Sequence, residues 1–382
     1  MRTGDLGVVR TEQLFVPGPV RLESGRTLPR VTIAYETYGH PNADRSNAIL
    51  VLHALSGDAH AAGVHSKSDA KPGWWDSMIG PGKAFDTNRY FVICSNVLGG
   101  CKGTTGPSSL NPDTGRPYGL SFPVVTVGDM IAIQNVLLQR LGIRRLLAVA
   151  GGSMGGMEAI QWVLSYPEKV GSAIVIAASL SQSAQNIALQ ETGRQAIMSD
   201  PNWRRGDYYE GEPPAWGLAV ARMIGHVSYL SEKSMQTKFG RTLRNNGGRY
   251  AYDFSEEFEV QGYLAHQGSA FVKRFDANSY LYITKAIDYF NVEQAEAVAA
   301  FARSSTDFLA ISFSSDWLYP SGKVKEIVTA ARRAGRKASY CEIRSDYGHD
   351  AFLLEEEKQT PIVRNFLRNQ EVRACNAEPI LT

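Results

Sequence analysis

Short apolar runs recur along the chain with amphipathic stretches between them. NAILVLHAL, YFVICSNV, LLAVAGG and GSAIVIAAS are β-rich and apolar on both faces, the pattern of strands buried on both sides of a sheet. VGDMIAIQNVLLQRLGI and MEAIQWVLSYP instead repeat their apolar residues at helical spacing. After an extended opening and VTIAYETYG, this alternation predicts an α/β fold: a mostly parallel sheet with helices on both faces. A similar set returns late, as TDFLAISFSS, SGKVKEIVTAARRAG and ASYCEIRS. In between, strand signals fade and polar-helical stretches take over, including PNWRRGDYYEGEPPAWG. The expected organisation is therefore an α/β domain over residues 1–180 and 300–382, interrupted by a helical cap over 181–299. The tail RACNAEPILT reads as loosely held.

The segment AVAGGSMGGMEAIQWVLSYP sets four glycines around Ser153, between a strand signal and a helix signal. Gly151 to Gly155 fit G-x-S-x-G, in the strand–turn–helix context that motif requires. A sharp turn there needs small neighbours, and it exposes the serine hydroxyl over the carboxyl edge of the sheet. Such a hydroxyl needs a base near neutral pH, and the base needs an orienting carboxylate. His349 in DYGHDAF follows one late strand; Asp316 in SSDWLYP follows another. The order Ser153, Asp316, His349 is that of the α/β hydrolases, so the fold expected is an α/β-hydrolase body. An oxyanion hole would take one N–H from Met154, after the serine, and one from Leu55, after the strand ending near His53. His53 and His60, with no acidic partner in a following strand, read as loop-structuring.

Composition narrows the partners. The 382 residues carry 40 basic and 38 acidic side chains, a net charge of +2, with no long Lys/Arg run, which argues against nucleic acid. No apolar stretch reaches the roughly eighteen residues of a membrane span, and MRTGDLGVVRTEQ lacks the apolar core of a secretory signal. A cytoplasmic protein is expected. Cys94, Cys101, Cys341 and Cys375 show no CxxC spacing, which suits a reducing compartment, and the histidines show no metal-ligand spacing. No metal and no held cofactor are expected.

Several segments together resemble the homoserine O-acyltransferase family of the α/β-hydrolase superfamily. They are LHALSGDAHAAG, WWDSMIGPGKAFDTNRYFVICSNVLGGCKGTTGPSS, GGSMGGMEAIQW, ARMIGHVSYLS, FSSDWLYP and YGHDAFLLE, running from about residue 30 to 357. The resemblance implies ping-pong transfer of an acetyl group, within methionine biosynthesis. Acetyl-CoA is a co-substrate, Ser153 carries the acyl group, and the side-chain hydroxyl of L-homoserine receives it. It also implies that Arg222 meets the acceptor α-carboxylate and Asp350 its α-ammonium, with Tyr229 a lesser contact. A homodimer through the cap is implied too, with Met223, Ile224 and Tyr229 as apolar matter for it. Two positions depart from the family pattern: Ser56, often threonine, and Glu158, often glutamine. Succinyl-CoA as donor, serine as acceptor, or water as acceptor in a carboxylesterase are the alternatives the same triad leaves open.

Overall fold

AILVL, FVICS, AVAGG and SAIVI are each buried along their whole length, because they form the middle of an eight-stranded sheet. The computed structural model describes residues 6–244 and 248–377. The strands of the main sheet are β1 (Glu12–Val16), β2 (Val31–Tyr38), β3 (Ala48–Leu52), β4 (Phe91–Ser95), β5 (Ala148–Gly152), β6 (Ser172–Ile176), β7 (Asp307–Phe313) and β8 (Ala338–Ile343). Their spatial order is β1-β2-β4-β3-β5-β6-β7-β8. The first two pairings, β1 with β2 and β2 with β4, are antiparallel, and every later one is parallel. Period-two alternation divides β3 between two cores: Leu50 and Leu52 face one, Ile49 and Val51 the other.

Helix α1 (Val127–Arg140) starts at a capping box, in which the Thr126 hydroxyl accepts from the Asp129 N–H and the Asp129 carboxylate accepts from the Thr126 N–H. Helix α2 (Met154–Ser165) runs back from β5. The chain then leaves the body after β6 and builds α3 (Ala184–Met198), α4 (Ala215–Tyr229), α5 (Glu232–Lys238), α6 (Glu259–Val272) and α7 (Ala277–Tyr289). Helix α3 packs on α4, and α4 on α6. A buried ion pair of 2.7 Å joins Arg194 on α3 to Asp288 on α7.

The chain is back on the body earlier than the sequence pattern suggested. Helix α8 (Gln294–Ala302) packs against α2 and against α9 (Ser321–Arg333), so it belongs to the layer covering the sheet. The tail is also more regular than expected as far as it is described. Helix α11 (Glu356–Ala377), which follows the short α10 (Ala351–Leu354), carries it to Ala377, and residues 378–382 lie outside the described part.

Candidate active site

Ser153 sits at the turn between β5 and α2 with φ 57° and ψ −124°, a left-handed conformation that costs a residue with a Cβ about 1–3 kcal/mol. The surroundings hold it there. The Ser153 N–H donates to the Ile176 carbonyl at 3.0 Å, and the Gly156 and Met157 N–H groups donate to the Ser153 carbonyl. The glycines permit the close approach that makes the turn: a Cβ on Gly151 would lie 2.5 Å from the Gly155 carbonyl carbon, and one on Gly155 would strike the Leu52 carbonyl oxygen.

The three residues scattered in sequence converge here. The Ser153 hydroxyl lies 2.8 Å from His349 Nε2, and His349 Nδ1 lies 2.8 Å from Asp316 Oδ2. With Nδ1 protonated, the imidazole donates to Asp316 and leaves Nε2 to accept from the serine. The other Asp316 oxygen accepts the N–H groups of Leu318 (2.9 Å) and Tyr319 (3.0 Å), which fixes the carboxylate. Burial works against a charged His349, but the Asp316 carboxylate outweighs it and raises the imidazole pKa above 6.5. Gly348, at φ +73°, lets this loop pass against the end of α4, where a Cβ would come 2.5 Å from the Ser231 nitrogen. Trp317 ties the Asp316 loop to the same place, donating from its indole to the Leu230 carbonyl at 3.2 Å.

Leu55 and Met154 present their backbone N–H groups without an internal acceptor among the described residues. Leu55 lines the pocket over Ser153 and His349. Its peptide is oriented through the Ala54 carbonyl, which accepts from His53 Nδ1 (2.8 Å) and from the Gly57 N–H (2.9 Å). Since the N–H of a trans peptide points opposite to its C=O, this turns the Leu55 N–H away from His53. His53 Nε2 accepts from the Val97 N–H at 3.2 Å, and burial holds the ring below its ordinary pKa, hence neutral.

His60 does have an acidic partner, but it comes from a preceding strand: Glu36 on β2. His60 Nδ1 lies 3.0 Å from one Glu36 oxygen and His65 Nε2 lies 2.6 Å from the other. Thr11 and Tyr38 hydroxyls donate to the same carboxylate at 2.7 and 2.8 Å. Glu36, His60 and His65 place possible ligand atoms within 4.8 Å of one another, so these are the described residues with a donor set that suits a metal. As they stand, four donors fill the carboxylate, and the cluster braces the loop that begins at His53.

Above the triad the cap supplies a different kind of wall. Arg222 on α4 lies over the Phe271 ring (4.7 Å) and near the Tyr229 ring (5.7 Å), with Nη1 3.4 Å from the Ser56 hydroxyl. Tyr229 lines the pocket, its ring 6.1 Å from that of His349. Asp350 comes from the body, next to His349 in the turn Gly348–Asp350, and is mostly enclosed; burial raises its carboxyl pKa, against the pull of His349 and Arg222. Neither Arg222 nor Asp350 has an ion-pair partner among the described residues. The pocket is otherwise lined by Leu55, Leu189, Ile224, Ile287 and Leu318, by Tyr229, Tyr280 and Tyr319, and by uncharged polar groups; no Lys or Arg lines it.

Two residues offered as dimer surface are placed elsewhere. Ile224 and Tyr229 face the pocket, because the face of α4 that carries them closes over Ser153. The apolar residues that α4 leaves in solvent are Trp216, Val220 and Val227. Glu158, which the sequence left without a role, is fully buried one turn past Ser153. Gln134 donates to one of its oxygens at 2.6 Å while the other has no partner, and burial pushes its pKa up to about 8. A protonated carboxyl is nearly the shape of a glutamine amide.

Comparison with known proteins gives the family. The alpha/beta hydrolase fold family matches residues 47–356. A homoserine O-acetyltransferase from Methanococcus vannielii is 54% identical over 373 residues, covering 97% of this chain and 75% of that one. The chain belongs to the homoserine O-acetyltransferase family of α/β hydrolases. Among solved structures, the crystal structure of homoserine O-acetyltransferase from Bacillus anthracis superposes with a TM-score of 0.85 at 33% identity, over 94% of this chain and 98% of that one. Esterase E22 superposes with a TM-score of 0.87 at 32% identity, over 94% and 100%. Structures that superpose closely on this chain thus include one named for transfer and one named for hydrolysis.

Proposed function

We propose that the protein transfers an acetyl group from acetyl-CoA to the side-chain hydroxyl of L-homoserine by a ping-pong route through Ser153. His349 takes the Ser153 proton as the oxygen attacks the thioester carbonyl, and the Leu55 and Met154 N–H groups receive the oxyanion. The thiolate leaves with the proton from His349. Homoserine then enters, His349 takes the proton of its hydroxyl, and the alkoxide attacks the acyl-enzyme through the same oxyanion position. Collapse releases the ester and returns the proton to Ser153. Asp316 stays ionised and holds the imidazole throughout.

The observation that carries this reading over simple hydrolysis is the pair Arg222 and Asp350, unpaired and of opposite sign, beside the triad. A guanidinium and a carboxylate near the triad, unpaired with each other, suit the two charged ends of an amino acid, and water needs neither. The homoserine O-acetyltransferase of Methanococcus vannielii, 54% identical to this chain, supports acetyl over succinyl. Purified protein given acetyl-CoA should release free CoA only when homoserine is added; release indifferent to homoserine rejects transfer. The likeness to esterase E22 supports hydrolysis as the second reading. It predicts rapid turnover of p-nitrophenyl acetate with no gain from homoserine.

A homodimer follows from the same family reading, seated on the exposed Trp216, Val220 and Val227 of α4. No helix of the described residues is long and apolar enough to cross a membrane. Work in the cytoplasm, in methionine biosynthesis and without a bound cofactor completes the proposal.

A further inference from the structure

The site contains a second arginine that the motifs did not point to. Arg274, just after α6, donates from Nη1 to the Ser56 carbonyl at 2.8 Å. Arg222 reaches the hydroxyl of that same serine, at 3.4 Å. Both guanidiniums lie against one ring, Phe271, at 4.7 Å for Arg222 and 5.2 Å for Arg274. Burial and the neighbouring Arg222 lower the Arg274 pKa, so these like charges sit close together. Neither has a carboxylate partner among the described residues. Two unpaired cations on one ring cost repulsion, and what they share is Ser56, the residue after Leu55.

The Leu55 peptide is held from its other side by His53 and Gly57 through the Ala54 carbonyl. Loop residues 54 to 57 are thus pinned at two carbonyls, Ala54 by the body and Ser56 by the cap. Between the two pins lies the N–H that must meet the oxyanion. We propose that Arg274 is a positioning residue: by holding the Ser56 carbonyl it fixes the Leu55 N–H toward Ser153, and it links the cap to the oxyanion hole. This rests on the reading of Leu55 as an oxyanion donor. Ser56, gripped by both arginines, would then relay acceptor binding at Arg222 to the same N–H.

The test separates positioning from substrate binding by using p-nitrophenyl acetate, which has no carboxylate, ammonium or nucleotide for a cation to bind. Arg274→Met keeps the packing on Phe271 and removes the donor; Arg274→Lys keeps a donor able to reach the Ser56 carbonyl. The expected result is a kcat on p-nitrophenyl acetate lowered by about tenfold to a hundredfold in R274M, the scale of a displaced or lost oxyanion donor, with KM little changed and most of the rate regained in R274K. The same kcat loss should appear in transfer to homoserine. Wild-type kcat for R274M on p-nitrophenyl acetate, or a loss confined to the KM of homoserine or acetyl-CoA, overturns the proposal. Burst titration of acylatable Ser153 in each variant normalises the rates to folded sites. Ser153→Ala, run in parallel, tells the two readings apart: turnover that survives it breaks the triad mechanism itself, whereas a dead S153A beside a fully active R274M breaks only the role given to Arg274.

Discussion

The floor and the roof of the pocket are built on opposite principles. On the floor, Ser153, His349 and Asp316 are tied to one another and to backbone by hydrogen bonds of 2.8 to 3.0 Å. Around it, Arg222 on the cap helix α4 and Asp350, next to His349, carry charges with no ionic partner among the described residues. A wired floor keeps the reacting atoms in register before any substrate arrives, which is where electrostatic catalysis gains most. An unpaired roof is stabilised only when a ligand supplies the missing charges, which is where selectivity between acceptors is gained. Esterase E22 shares the fold closely, so the body of the fold by itself does not separate transfer from hydrolysis.

Removing the floor should cost most. Ser153→Ala is expected to lower kcat by at least about 10⁴-fold while the circular dichroism spectrum stays that of the native fold. A loss of less than tenfold would separate the chemistry from this serine. Breaking the roof should cost less and show in a different constant. Arg222→Met removes a charge-assisted contact worth about 1.5–3 kcal/mol, so kcat/KM for homoserine should fall by roughly tenfold to a hundredfold, mainly through KM. A fall carried by kcat alone would move Arg222 from the roof to the floor.

The pH dependence sharpens the same contrast. His349 must be neutral at Nε2 to act as base, and its pKa lies above 6.5 because Asp316 outweighs burial. The acidic limb of the rate profile should therefore lie above the ordinary histidine value, and Asp316→Asn should move it down while lowering kcat. The sign for stability is opposite: a raised histidine pKa stabilises the fold below its unfolded value, and that contribution is lost as pH rises through the folded value. An acidic limb below 6.5 in the wild type would contradict the wiring. The smallest effect belongs to Glu158. Its folded pKa of about 8 against an ordinary 4.5 means that stability falls as pH rises between those two values. Glu158→Gln should remove that slope and raise Tm by a few degrees at pH 8, checked by thermal melts across pH; equal slopes in the two proteins would show Glu158 to be ionised in the fold.

What could be read from the sequence follows the same division. Ser153 is legible because strand, turn and helix are adjacent in the chain and the glycines are local necessities. Asp316 and His349 are legible because each follows its own strand. Arg274 and the Glu36–His60–His65 cluster are not, since their meaning depends on which loop reaches them across the fold: Ser56 is 218 residues from Arg274. The inward turn of Ile224, offered only as dimer surface, was missed for a related reason. The face of an amphipathic cap helix that meets the pocket and the face that meets solvent can be equally apolar, as α4 is. Glu158 violates the rule that carboxylates stay out of cores: burial favours its neutral acid, against the pull of the single hydrogen bond that Gln134 donates to it.

Intact-protein mass spectrometry reaches the central claim most directly. Brief exposure to acetyl-CoA should add one acetyl group, located on Ser153 by peptide mapping, and homoserine should discharge it far faster than buffer does, with the acetyl group recovered on the homoserine oxygen. No adduct on Ser153, or one that decays at the same rate with and without homoserine, would contradict the account.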